Sequence, residues 1–244
     1  SIQLVNTHYS ILQEERLLRL FKAQRPAGLV VTGINQTEES RAILESMNCP
    51  IVQIMELGPD PIDMMVGFSH NAAAFEVISH LIGLNFKRIG FLGARMDPRV
   101  QRRLEGYTDA MKRASLYDPR LIIATPVSTS VTMGGTLFAD LLMKAPDLDA
   151  VFCVNDDLAL GALFECQRRQ IQVPEDIAIV GFNDLEYMAS AVPPLSSVRT
   201  NRYDMGRTAI NMVMDAIEGR RPSMPVVDLG YELMIRRSSA PRHI

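Results

Sequence analysis

Residues 150–156 read AVFCVND, and residues 173–184 read VPEDIAIVGFND. Each is a short apolar, β-branched run that stops abruptly at Asn and Asp. Val151, Phe152, Cys153 and Val154 show no polar alternation, the pattern of a strand covered on both faces in a parallel sheet. Parallel neighbours need a crossover between them, so the intervening segment must return over the sheet as a helix. Amide and carboxylate groups just past the C-terminal ends of such strands lie where open α/β sheets bind ligands. A chain that carries this arrangement twice is confined to α/β architecture with a binding crevice at the strand ends.

The rest of the chain keeps the same rhythm. Strands are predicted at 2–6, 28–32, 50–55, 88–92, 121–125, 151–154 and 177–182, with helices at 12–24, 38–47, 71–84, 99–114, 133–144, 157–169 and 202–218. Thr37 ahead of Glu38, Glu39 and Ser40 marks a helix start, and Asn48 and Gly219 are expected to close helices in the left-handed conformation. Leu158, Leu163 and Phe164 form a near-helical stripe that reads as core. Two halves divide near 66–71. After Pro193-Pro194 the rhythm breaks: 195–200 reads as an extended crossing, a helix follows, and 226–236 reads as one final strand. Halves joined by several crossings describe a hinged pair of lobes. A chain that opens directly on a core strand is expected to lack an upstream part.

At 244 residues the chain is long enough for one large α/β unit or two smaller lobes. A formal net charge of −3, with no Lys/Arg run longer than two, argues against a nucleic-acid surface within these residues. Cys49, Cys153 and Cys166 lack metal spacing and read as buried, reduced thiols of a cytosolic protein. No stretch has the length of a membrane span, and no signal segment opens the chain.

Dinucleotide, phosphate-loop, nucleophile-elbow and zinc-protease motifs are all missing. The histidines at 8, 70, 80 and 243 have no metal or triad spacing and read as surface or satisfied core positions. Asp156 and Asp157 are expected to serve backbone N–H groups at a helix start, or a ligand, rather than catalysis. Arg95, Arg99, Arg102 and Arg103 cluster after a strand. Arg103 lies in the first turns of the following helix, where a planar guanidinium suits hydroxyl and carboxylate oxygens. Arg202, after the extended crossing, is expected to reach the cleft from the other side.

Taken together, VPEDIAIVGFND (173–184), VNDDLALG (154–161), RLEGY (103–107) and PPLSSV (193–198) resemble the effector-binding core of LacI/GalR-type transcriptional repressors. The resemblance runs in register from Ile2 to the closing Arg236-Arg237-Ser238-Ser239-Ala240. It implies a two-lobed periplasmic-binding-protein-like α/β fold, each lobe a parallel sheet flanked by helices. The lobes would be 1–67 plus 200–224, and 68–199 plus 225–244. It also implies a cytoplasmic homodimer that closes on a small effector, with no cofactor and no membrane. Operator DNA would be held by a helix-turn-helix head and hinge helix that precede the core in the family and are absent from these residues. The first βα unit of the amino-terminal lobe is expected to be missing as well, since 2–6 matches that lobe's second strand.

The resemblance assigns ligand-binding roles residue by residue. Arg103 takes the position of the family's effector-binding arginine, and Asn155 that of the strand-end asparagine. Asn183 stands where many members have a ligand-binding aspartate. Phe68 stands where an aromatic ring stacks on the ligand at the lobe crossing. Arg202 replaces an aromatic residue of the lactose-repressor type, and Arg99 occupies a polar effector position. One negative site lost and one positive site gained favour an anionic ligand. FLGARMD (91–97) and FCVNDDLALGALFECQ (152–167) are similar to the gluconate-utilisation repressor branch. That implies a repressor of sugar-acid metabolism sensing gluconate, 2-ketogluconate or a related sugar acid, with sugar phosphates and neutral hexoses still open. The competing readings are an exported solute-binding protein for a sugar or sugar acid, and an α/β enzyme acting on a sugar.

Overall fold

The computed structural model describes residues 2–240. In chain order it contains α1 (Ile11–Gln24), β1 (Leu29–Thr32), α2 (Glu38–Glu45), β2 (Ile51–Ile54), β3 (Met64–Gly67), α3 (His70–Gly83), β4 (Ile89–Ala94) and α4 (Pro98–Arg113). There follow β5 (Ile122–Thr125), α5 (Val131–Lys144), β6 (Ala150–Cys153), α6 (Asp156–Arg168), β7 (Ala178–Asn183), α7 (Glu186–Ser190), β8 (Ser196–Arg199), α8 (Arg202–Ile217), β9 (Val226–Asp228) and β10 (Glu232–Met234). Two units result: Ser1–Ser69 with Asn201–Gly230, and His70–Thr200 with Tyr231–Ile244.

The first unit holds a four-stranded parallel sheet in the order β1-β2-β3-β9. Leu18 of α1 and Ile43 and Leu44 of α2 bury with Met47 and Ile51, and Leu29 and Val31 pack against them. Their burial, not local propensity, makes these short elements stable. The α2 helix starts as expected, with Thr37 Oγ1 accepting from Ser40 N at 3.0 Å. It ends at Glu45 with a right-handed Ser46 cap, so Asn48 does not close it. Gly219, at φ +81°, does follow the end of α8.

The second unit holds six strands in the order β10-β8-β7-β6-β4-β5, parallel except for β10 against β8. The strand order reverses between β4 and β6: the chain leaves β4 through α4 to β5, then returns through α5 to β6 on the other side of β4. Strands β4 and β6 and most of β7 are buried throughout, as apolar runs without alternation must be in a sheet covered on both faces. Phe91, Phe152 and Phe182 meet through neighbouring strands, and Tyr107 of α4 tilts against Phe91.

The structure departs from three local expectations and adds one strand. Residues 2–6 are not a strand; Ile2 and Leu4 are 96% and 94% exposed, because a strand needs a neighbour to pair with and no strand among the described residues pairs with them. The segment 226–236 is two strands, not one of the second lobe: β9 pairs with β3 and β10 with β8, and Gly230 turns the chain between them at φ +62°. Residues 225–230 therefore belong with the first unit. The added strand is Met64–Gly67, whose two methionines and glycine carry little β signal in the sequence. Phe164, expected in the core, is 40% exposed while Leu158 and Leu163 are buried.

Candidate functional site

In open α/β sheets the ligand crevice forms at the strand C-termini where the strand order reverses. In the second unit that point lies past β4 and β6, and the sequence places Arg99 and Arg103 after the first of these strands and Asn155 after the second. Asp97 caps α4, accepting from Arg99 N at 2.9 Å and Val100 N at 3.3 Å. Arg99 is partly buried, its Nε 3.6 Å from Asp97 Oδ1. One turn on, Arg103 is buried. Its Nη1 donates to the Val154 carbonyl just beyond β6, and its Nε donates to His70 Nδ1 at 3.2 Å. The guanidinium carbon stands 3.8 Å from the centre of the Phe182 ring, a cation–π contact made stronger by burial.

Asn155 is the N-cap of α6. Its Oδ1 accepts from Leu158 N at 3.0 Å and from Thr129 Oγ1 at 3.2 Å, so the amide nitrogen is the group this residue can offer a ligand. Asn183 ends β7 at φ +116°, and Asp184 follows at φ +56°. Side chains rarely adopt this region, and such strained positions concentrate at ligand sites. Arg103, Asn155 and Asn183 thus lie at the C-terminal ends of neighbouring strands of one sheet. Arg202 and Phe68 belong to the first unit. Arg202 opens α8 and is exposed, whereas Phe68 follows β3 and is fully buried.

Asp156 does not give the expected helix-start service, and Asp184 too is engaged within the protein. Asp156 Oδ2 accepts from Leu185 N at 2.7 Å and Oδ1 from Ser197 Oγ at 2.6 Å. Asp184 receives Arg199 at 2.9 Å and Arg236 at 2.7 Å. Both carboxylates therefore turn into the protein. Asp157 receives the Tyr187 hydroxyl at 2.6 Å. His70 is a buried core histidine, yet it also accepts from Arg103 Nε and stacks 5.8 Å from Phe182. No motif marks it, because His70 and Arg103 meet only through the packing of α3 on α4. His8 is exposed, His80 half-buried, and His243 lies outside the described residues. Cys153 and Cys166 are buried, and burial pushes their thiols up, Cys166 to about 12.

Burial also pushes Asp156 up to about 6, against the opposing hydrogen bonds from Ser197 and Leu185. The native pKa lies above the unfolded one. The group's contribution to stability is therefore fully present below the unfolded value near 4 and is lost as pH rises through about 6, a difference on the order of 3 kcal/mol. Asp156→Asn removes this dependence, so the variant should gain stability relative to its parent between pH 4.5 and pH 7.5, by an amount on that order. Denaturant unfolding of both proteins at the two pH values checks it; a gap that does not change with pH refutes the assignment.

Over residues 78–239 the chain matches the family described as periplasmic binding protein-like domain. It is 42% identical to the HTH-type transcriptional regulator GntR of Pseudomonas aeruginosa, across 96% of this chain and 68% of that protein. The chain belongs to the LacI family of transcriptional regulators. The regulator IdnR of Escherichia coli is 34% identical over 94% of this chain and 69% of its own length. The crystal structure of transcription regulator GntR from Chromobacterium violaceum superposes with a TM-score of 0.94 at 41% identity, covering 98% of this chain and 88% of that one. LacI-family regulators bind small-molecule effectors and operator DNA and are typically dimers. The chain is accordingly a ligand-responsive regulator and not an enzyme, which decides against the solute-binding and sugar-enzyme readings. Among the described residues no helix is long and apolar enough to cross a membrane, and no group of three His, Cys, Asp or Glu could hold a metal ion.

Proposed function

We propose that this chain is the effector-binding core of a cytoplasmic, homodimeric repressor of sugar-acid metabolism, with gluconate, 2-ketogluconate or a related sugar acid as effector. One observation carries the reading. At the point where the strand order reverses, the Arg103 guanidinium is held in place while the carboxylates of Asp156 and Asp184 point inward and Asp97 is taken up by the start of α4. Asn183, an amide at the end of β7, adds no negative charge. Such strand ends favour an anion with hydroxyl groups over a neutral sugar. The GntR and IdnR relatives point the same way, toward gluconate-related sensing. Arg103 and Arg99 supply the positive charge, Asn155 and Asn183 the amides. Arg202 and Phe68 are assigned as ligand contacts by family position. Operator DNA is bound by a helix-turn-helix head preceding such a core, and effector binding changes operator affinity by on the order of 1–3 kcal/mol.

The test is calorimetric titration of the chain with gluconate, 2-ketogluconate and glucose. The acids should bind at least about tenfold more tightly than glucose, the worth of one charge-assisted hydrogen bond; equal affinities refute the reading. Arg202→Phe restores the aromatic residue of the lactose-repressor type. It should weaken gluconate by about tenfold while leaving glucose within about twofold. An equal loss for both would remove Arg202 from acid selection.

A further inference from the structure

The Asn183–Asp184 turn is held by a relay that no effector contact explains. The Ser197 hydroxyl donates to Asp156 Oδ1 at 2.6 Å and accepts from the Asp184 backbone N–H at 3.1 Å. The next amide, Leu185 N, donates straight to Asp156 Oδ2 at 2.7 Å. An ionised carboxylate can only accept, so it fixes the direction of the serine hydroxyl and leaves a serine lone pair for Asp184 N–H. Gly181 makes the space for this: a Cβ there would stand 2.6 Å from Asp156 Oδ1.

We propose that Asp156 is a positioning residue for effector recognition, whose buried carboxylate holds the turn that presents the Asn183 amide at the strand ends. The proposal rests on the preceding reading in one respect, that Asn183 meets a sugar acid. Asp156 itself touches no ligand; it acts through Ser197 and Leu185. Protonation reverses the relay, because the new O–H competes with Asp184 N–H for the serine oxygen and the charge-assisted bonds weaken. A charge that the fold holds at a cost to its own stability is thereby given a task at the site.

Several charged and titratable groups surround the turn: His70 of α3 stacks 5.8 Å from Phe182, and Arg103 of α4 lies over the same ring. Asp184 at the end of β7 is balanced by Arg199 of β8 and Arg236 beyond β10, and Glu232 of β10 faces Arg199 at 3.6 Å. Cys153 of β6 is buried near Asp156, and Asp157 of α6 is engaged with Tyr187 of α7. Burial raises the Asp156 carboxyl to about 6.

Two measurements on the same proteins test the proposal: calorimetric titration with gluconate from pH 5 to pH 8, and hydrogen exchange of amides 182–185 without ligand, corrected for intrinsic rate. Gluconate's own carboxyl stays ionised over this range. Wild-type affinity should fall about tenfold from pH 7.5 to pH 5, inflecting near 6. Asp156→Asn should be about tenfold weaker at pH 7.5 with a flat profile, and protection of the turn should fall in the same steps. Persistence of the inflection in Asp156→Asn, or unchanged protection of the turn, overturns the proposal. Ser197→Ala breaks the relay with Asp156 in place and should also lose protection at Asp184; it decides the matter if Asp156→Asn does not fold. Should wild type bind no gluconate at any pH, the effector reading fails, and the exchange data alone decide the role of Asp156.

Discussion

Replacing Arg103 with alanine should weaken gluconate binding at least about a hundredfold. A guanidinium meeting a carboxylate makes charge-assisted hydrogen bonds worth roughly 1.5–3 kcal/mol each, and about 2.7 kcal/mol already corresponds to two decades of affinity. The same change should also cost fold stability, which the sequence alone did not suggest. Arg103 is buried, serves the Val154 carbonyl and covers the Phe182 ring. Alanine leaves an unpaired carbonyl and a void, together about 2–4 kcal/mol. Arg103→Lys separates the two effects: it keeps the charge but loses the planar fork and its stacking. Its stability should lie nearer wild type while gluconate still binds more than about tenfold less tightly. Calorimetry and denaturant unfolding on the three proteins give both quantities. Undiminished gluconate binding by Arg103→Ala would exclude this arginine from the site.

Much of this was legible because period and punctuation agreed. The apolar runs of β4, β6 and β7 admit only a sheet covered on both faces, and each ends in the polar residues that mark a crevice. Residues 2–6 show the limit of such reading. Val5 and Ile2 have strand propensity, but a strand is a pairing, and propensity says nothing about whether a partner lies alongside. The segment 226–236 failed differently. Its pattern reads as continuous across Gly230, yet the two sides hydrogen-bond to different sheets. Among the candidate site residues, Arg103, Asn155 and Asn183 could be placed from sequence because each sits at a fixed offset from a strand end. His70, Phe182 and the Asp156–Ser197 relay could not. Their roles depend on which helix packs on which and which way a side chain turns, and neither leaves a spacing in the sequence. Asp156 illustrates this best: a carboxylate at a helix start is ordinarily read as serving its own helix, whereas here Asn155 has that position and Asp156 reaches another segment altogether.

Gly161→Ala should be among the most damaging small substitutions in the second unit. A glycine in the middle of a helix normally invites alanine, which gains about 0.5–1 kcal/mol by restricting the unfolded chain. At Gly161 of α6 the added Cβ would meet Val131 O at 2.0 Å, Gly135 N at 2.7 Å and Gly134 Cα at 2.8 Å. All three are backbone atoms of α5 or its first turn, so no side chain can rotate away and the helices must separate. Overpacking of this kind should turn the gain into a loss of about 3 kcal/mol. Separation would also move the start of α6, and with it the Asn155 cap, so gluconate affinity should fall alongside stability. Gly206 in α8 is the control. It too lies within a helix, but a Cβ there meets nothing within 4 Å, and Gly206→Ala should stabilise by the ordinary ~0.5–1 kcal/mol. Unfolding free energies of the two variants should therefore differ in sign. If Gly161→Ala instead stabilised as Gly206→Ala does, the close approach of α5 and α6 would be wrong, and with it the position of Asn155 at the strand ends.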